Sequence, residues 1–430
     1  MCRPFLVVAL WVSGLAIASG GTLPRPDLVV AADGRGDFKT IQAAVASIPK
    51  TNTDRTVVLV KDGIYHEKIR VDASFVTLRG QSRQGTRVEF QQLNDDFTKS
   101  PDRLGQAVVN LNRANDFVLE NLTVENTAGV IGPHAFALFG NGDRTVIVNC
   151  DVLSHGADTV ALWNKEGGRY YHASCRFEGS VDFVCPRGWC YATNCTFYEF
   201  KNTAAVWHDG SRDKDMKFVL RDCRFDGTNG WNLARHHHDA QFYFLDCRFS
   251  QTMIDRPPFR VIYPLDGGTP SESDLKRNKD LDASNVWGER AYFYNCHRDG
   301  GDYDWMTNNL AAAPGAPRPK QITAAWTFAG KWDPEGKAGP VIRQIKSAGS
   351  QIAVGFSESV TVKGRPRLVL SDGRADYMSG SGSDTLIFRV QGKPGAVTSL
   401  DLNDGAIIAT EAGATLRLAQ LKLPADLAEK

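Results

Sequence analysis

The sequence predicts an all-β chain: a solenoid of stacked coils, capped by a helix at its N-terminal end and followed by a small β-sandwich. Three observations predict it. A short strand motif ending in cysteine recurs through the middle of the chain, and no helix-period segments separate its copies. Beyond about residue 320 the composition shifts to short alternating runs divided by glycine and aspartate turns. At 430 residues the chain is too long for one ordinary compact domain but suits an elongated repeat body. A formal net charge of +1 supplies no long-range field for nucleic acid or an anionic membrane. It does not exclude an acidic polysaccharide, because a few arginines can line one groove.

Residues 1–20 read as a signal peptide. Arg3 gives the positive start, Phe5 to Ala18 an apolar run too short for a membrane span, and Ala16-Ile17-Ala18 a small-residue cleavage site. The mature protein is expected to be exported and soluble. After Asp37, the residues Phe38, Ile41, Ala44, Val45 and Ile48 recur at helical spacing and predict a helix that covers the first coil.

The repeat consists of apolar or aromatic residues, a small polar residue, then cysteine. It ends at Cys150, Cys175, Cys195, Cys223, Cys247 and Cys296, and Phe117 to Leu122 fits the same frame with leucine in the cysteine slot. The intervals of 25, 20, 28, 24 and 49 residues suggest one coil per unit, the last being read as two units. Equivalent positions then stack at about the 4.8 Å spacing of paired strands. The six cysteines become an inward column, better suited to core packing than to disulfides. Cys185 and Cys190 lie off that column and are the candidates for an oxidised pair.

His134, Asp158 and Asp182 are spaced by 24 and 24 residues, about one coil each, so they are expected on one face. Arg235 follows roughly two coils later. Two neighbouring carboxylates do not both ionise freely, so one keeps its proton, while an arginine holds the other charged and aligned. Such a trio supplies an acid and a nucleophile. The bland reading is that both aspartates cap turns of the solenoid. His134 reads equally as a groove donor or as a satisfied structural histidine.

Two N-terminal segments, Val30-Ala31-Ala32-Asp33-Gly34-Arg35-Gly36-Asp37-Phe38-Lys39-Thr40-Ile41-Gln42 and Gly63-Ile64-Tyr65-His66-Glu67-Lys68, resemble the opening of pectin methylesterases. Ala157-Asp158-Thr159-Val160, Val181-Asp182-Phe183-Val184 and Leu233-Ala234-Arg235 resemble three central family segments in the family order. The resemblance covers about residues 28–300. It implies a right-handed parallel β-helix over 28–335 and hydrolysis of galacturonate methyl esters in pectin or a related uronate polymer. In that mechanism Asp182 is the nucleophile, Asp158 the acid and then the base, and Arg235 orients Asp182. It requires no metal or organic cofactor and implies a polysaccharide partner, a monomer, and a secreted or periplasmic location.

The departures from the family lie at the chemistry. His134 and Ala157 stand where the family has glutamines that help stabilise the oxyanion, and losing one such donor costs about 100- to 1,000-fold in rate. Cys185-Pro186 replaces phenylalanine-glycine, and His236-His237 replaces proline-tryptophan, at positions that shape the sugar cleft. Arg187, Trp207 and His237 complete the expected substrate-binding set, with a uronate carboxylate as one partner for Arg187 and solvent as the other reading. Trp163, Trp189, Trp207 and Trp231 divide between sugar stacking and core or rim packing. The run His236-His237-His238 invites a metal, but strand alternation sends its middle member to the opposite face. A glycan-binding β-helix without activity, or a lyase or glycosidase using the same groove, are the rival functions.

Ala311 to Pro319 reads as a linker or loose crossing, and Trp326 to Pro334 as a segment that packs back on the solenoid. A β-sandwich is expected over 338–424. Phe356 to Val362 and Tyr377 to Phe388 resemble repeats of bacterial surface adhesins, which implies a bacterial source. No catalytic grouping is visible there.

Overall fold

The computed structural model describes residues 26–209, 213–335, 342–392, 395–403 and 406–409. The expected signal peptide and residues 410–424 of the expected sandwich lie outside these. The chain divides into two compact units, a long one over Pro26–Ala338 and a second that begins at Gly339. No described helix is long and apolar enough to cross a membrane.

The long unit is a parallel β-helix with three sheets running along its length. The first holds ten strands, from Leu28–Val30 to Ala291–Tyr294, and the second nine, from Gly63–His66 to His297–Arg298. The third is split: Ile69–Val71, Val109–Leu111, Leu138–Gly140 and Val160–Leu162 form one half, Ala204–Trp207, Asn232–His236 and Phe259–Arg260 the other.

The cysteine motif marks the corner between the first and second sheets. Each coil turns there on one residue in the left-handed region: Asn121, Asn149, Ser174, Asn194, Asp222, Asp246 and Asn295, with φ between 50° and 60°. Short polar side chains tolerate this backbone best, which explains the residue before each cysteine. Several bond to the coil below, as when Asn149 Nδ2 donates to Asn121 Oδ1 at 2.8 Å and Asn295 Nδ2 to Asp246 Oδ1 at 2.7 Å. The cysteines that follow point inward and are buried and free. Their thiols donate to carbonyls of the preceding coil: Cys175 to Ile147 at 3.4 Å, Cys247 to Leu220 at 3.4 Å, Cys296 to Phe244 at 3.3 Å. Beside them Phe177, Phe197, Phe225 and Phe249 stack in register along the second sheet.

Four expectations are corrected. Cys185 and Cys190 are both free and face different clusters. Cys190 packs in the main interior, whereas Cys185 packs with Ala107, Phe136 and Ala161 behind the groove. The 49-residue interval is one coil, because Phe242–Leu245 pairs directly with Ala291–Tyr294. The excess length contains a helix, Glu272–Ser284, in which Leu281 is the single buried residue; its polar sequence lacks an apolar stripe to reveal it. The N-terminal helix is only Ile41–Ala46, capped by Thr40 rather than started by Asp37, whose carboxylate instead accepts from Val29 N–H at 2.7 Å. Glu67 completes that cap, accepting from Ile41 and Gln42 N–H at 2.8 and 2.9 Å. Finally, the Ala/Pro-rich segment is a packed strap rather than a loose linker. Leu310, Ala313, Ile322, Ala324 and Phe328 bury against the outward Tyr191, Val219, Tyr243 and Leu245 of the first sheet. Arg221 pins it by donating to the Ile322 and Pro319 carbonyls at 2.7 and 3.0 Å.

The second unit is antiparallel. Its long strand Gln351–Lys363 pairs along its first part with Ile342–Ala348 and Ser383–Val390, then beyond a register break with Ala406–Ala409. One strand shared this way fits a small β-sandwich around Ile352, Val354, Leu368, Leu386, Phe388 and Ile407.

Candidate active site

The two halves of the third sheet meet at residues 181–187, where strand geometry breaks. Val181 and Asp182 both take left-handed conformations, φ 49° and 59°, and Pro186 has no N–H to donate. Isolated bridges, Val160 to Val184, Trp163 to Arg187 and Val184 to Val206, carry the sheet across. Asp158, at φ 57°, turns in the same way on the coil before. These backbones aim two nearly buried carboxylates into a shared groove.

Arg235, from the strand Asn232–His236, closes the group. Its Nε donates to Asp182 Oδ1 and Oδ2 at 2.8 and 3.1 Å, and its Nη2 to Oδ2 at 2.7 Å. Burial raises the Asp182 pKa, and the charge and hydrogen bonds of Arg235 oppose that without cancelling it. Asp158 has no such partner. Burial, then the Asp182 charge, lift it well above the ordinary carboxylate range. Of the two, Asp158 is the one that keeps its proton near neutrality.

The remaining candidates take varied positions. His134 is half exposed, with Nε2 3.6 Å from Asp158 Oδ2. Ala157 pairs with it across the coils, but its N–H is committed to the Pro133 carbonyl at 2.8 Å. The guanidinium of Arg187 lies 4.0 Å from the Trp163 ring centroid and 5.3 Å from that of Trp207. Its Nε is buried with no hydrogen-bond partner among the described residues. His237 meets Trp207 edge-on at 4.7 Å and shares a 2.8 Å hydrogen bond with the Tyr263 hydroxyl. Burial, then Arg235, push its pKa down to about 4, so it is neutral at physiological pH. Trp231 lies in the main core and Trp189 beneath the strap, both away from the groove.

The three consecutive histidines diverge. His236 bonds Glu289 and the His238 carbonyl, His237 bonds Tyr263, and His238 bonds Ser284. No group of three or more His, Cys, Asp or Glu among the described residues is arranged to hold a metal.

The Pectinesterase family model matches residues 27–253, more than half of the chain. The chain belongs to the pectinesterase family. A pectinesterase from Petunia integrifolia is 32% identical over 173 residues, which is 40% of this chain and 44% of that protein. The chain thus spans less than half the length of this curated relative. Among solved structures, the pectin methylesterase from carrot has TM-score 0.56 and 19% identity, covering 73% of this chain and 96% of that one. A pectin methylesterase in complex with a hexasaccharide has TM-score 0.55 and 20% identity, covering 72% and 98%. At these identities the structures establish the pectinesterase fold for the long unit.

At this pectinesterase-type groove Cys185 stands at a cleft position the sequence singles out, whereas Glu199 escapes the sequence reading. Cys185, in place of an aromatic residue, is buried, and its thiol donates to the Val160 carbonyl at 3.5 Å. Glu199 lies fully buried behind the Val181–Asp182 turn. The signal for Glu199 was available: along Thr196–Glu199, alternation puts it on the same inward face as Phe197.

Proposed function

We propose that the protein is a carbohydrate esterase that removes methyl esters from pectin (homogalacturonan) or a related uronate polymer. The observation that carries this reading is the double-donor clamp of Arg235 on Asp182, with the protonated Asp158 one coil away. Asp182 attacks the ester carbonyl carbon, and Asp158 gives its proton to the departing methanol. The acyl-enzyme that remains is an anhydride between Asp182 and the galacturonate. Asp158, now a carboxylate, takes a proton from water, which attacks the anhydride and frees acid and enzyme.

The oxyanion is less well supported than the family pattern would give. Ala157 contributes no side chain and its N–H is occupied, so His134 is the remaining donor at the two altered positions. Arg187, its face clamped by Trp163 and Trp207, has the planar donors to meet a carboxylate of the polymer beside the reacting ester. Trp207 and His237 form the adjoining wall. The substrate class is supported by the family, one member of which is known with a hexasaccharide. Action on a polysaccharide outside the cell, secreted or periplasmic in a bacterium, agrees with the N-terminal segment. We read the enzyme as a monomer with its C-terminal sandwich as an appended unit.

The test is incubation with highly methylated pectin. The expected outcome is release of methanol with acidification and no rise in ultraviolet absorbance. A rise in absorbance without methanol would make the protein a lyase. Binding without either product would make it a lectin-like β-helix.

A further inference from the structure

We propose that Glu199 is a positioning residue: its side chain, buried behind the groove, holds the left-handed Val181–Asp182 turn that presents the nucleophile. The proposal rests on the reading of Asp182 as nucleophile. Val181 is β-branched, and such residues resist positive φ, at a cost of order 1–3 kcal/mol. Something must over-determine the turn. Asp182 N–H is held by the Ala204 carbonyl at 2.7 Å. Val181 N–H, just before it, has no carbonyl acceptor; it is shared between Glu199 Oε1 at 3.3 Å and Thr203 Oγ1 at 3.2 Å. The same Oε1 accepts from Lys201 N–H at 2.9 Å and from Thr203 Oγ1 at 3.4 Å. One oxygen thereby ties the nucleophile turn to the loop that leads into the strand Ala204–Trp207.

The sequence makes room for this brace. Glu199 stands in register between Gly179 and Gly227, and it is Gly227 that borders it directly, a Cβ at Gly179 meeting Thr159 and Phe183 instead. A Cβ added at Gly227 would lie 2.7 Å from the Glu199 carbonyl oxygen and 3.0 Å from its Cβ, closer than packing allows. The other carboxyl oxygen, Oε2, is buried with no hydrogen-bond partner among the described residues. A carboxylate so placed would carry an uncompensated charge, which folding strongly disfavours. Burial, against the Lys201 and Val181 hydrogen bonds and with the Asp182 charge adding to it, raises the Glu199 pKa well above the ordinary carboxylate range. A neutral brace has a functional consequence: it accepts hydrogen bonds without placing a second negative charge behind the nucleophile.

Two substitutions test this in the full-length protein. Glu199→Gln keeps an acceptor and a neutral side chain, and its kcat is expected within about threefold of wild type with an unmoved acid limb of the pH profile. Glu199→Met fills the volume without the acceptor, and its kcat is expected to fall by ~100-fold with KM unchanged, as a small misplacement of a reacting group does. Crystal structures of both variants should show Val181 and Asp182 at positive φ in the Gln form and displaced in the Met form. A Met variant with wild-type kcat, or one in which only KM rises, would overturn the proposal, as would a Gln variant whose acid limb shifts. The crystallographic arm reads the turn without reference to activity. If wild-type protein releases no methanol, the proposed function fails while the brace remains testable on its own; should the Met variant not fold, Glu199→Leu carries the same comparison.

Discussion

Two places in the coils, a corner repeated along the solenoid and the groove, use the same backbone device for different ends. At the corner between the first and second sheets, left-handed residues are drawn from Asn, Asp and Ser. Several of them bond to the equivalent side chain one coil away, so the strained conformation is shared along a ladder. At the groove, the left-handed residues are Asp158, Val181 and Asp182. Their carboxyls face across the groove rather than along a ladder, and Val181 is a residue that ordinary design avoids there. The first corner repeats because stacking rewards it. The second occurs where two coils adjoin and is held by partners specific to it: Arg235, Glu199 and Thr203. A repeated left-handed turn therefore reports architecture, and an unrepeated one, occupied by the wrong residue type, reports chemistry.

This contrast can be broken most directly at Asp182. Asp182→Asn is expected to lower methanol release by ~10,000-fold or more, as loss of a nucleophile does, while circular dichroism stays that of wild type. Retained methanol release would place the chemistry elsewhere. Arg235→Met comes next. It leaves a buried carboxylate unpaired, which typically costs about 3–5 kcal/mol, so a lower urea midpoint is expected. Without the guanidinium the Asp182 pKa rises further, so the acid limb of kcat should move to higher pH; an unmoved limb would mean that Asp182 need not ionise.

Asp158 sharpens the comparison through pH. Its folded pKa lies well above its unfolded value, so the native state retains a proton that the unfolded chain has lost. The stability this contributes is present below the unfolded pKa and is lost as pH rises through the folded one. Asp158→Asn removes that loss. Urea midpoints of variant and wild type should nearly coincide at about pH 4 and diverge in favour of the variant by about pH 9, although the variant lacks the acid. Equal midpoints at both pH values would mean that Asp158 ionises freely. The smallest effect is expected at the other corner. Asn149→Ala places alanine in the left-handed region at about 1–2 kcal/mol and removes one rung of the ladder. Melting should register it and methanol release should not.

The solenoid was legible in the sequence because its corner imposes two requirements at once: a short polar residue that tolerates φ near 55°, then a small apolar one for the interior. Asn149-Cys150, Asp222-Cys223 and Asn295-Cys296 display both, and a coil spacing for Asp158 and Asp182 follows from them. The third sheet was not legible as strands, since its members are two to five residues long with sequences such as Ala204–Trp207 that carry little alternation. The end of the strap, Trp326 to Pro334, was legible as packing back on the solenoid, but the stretch before it was hidden because Leu310, Ala313 and Ile322 pack as isolated residues between short 3-10 turns rather than through a periodic face. The helix Glu272–Ser284 concealed a single coil as two for the opposite reason: it is polar on nearly every side. Alternation with Phe197 marks Glu199 as inward, but that an acid is buried there in register with glycines shows only once the coils are stacked.

The cysteine column carries a consequence for where this chain can fold. All eight described thiols are buried and unpaired, and the surrounding apolar packing pushes a thiol such as Cys150 up to about 12. A sulfur that seldom becomes thiolate exchanges slowly with glutathione or an oxidoreductase. Among the described residues the stacked body holds no disulfide, so the same coils should assemble alike in reductant and in air.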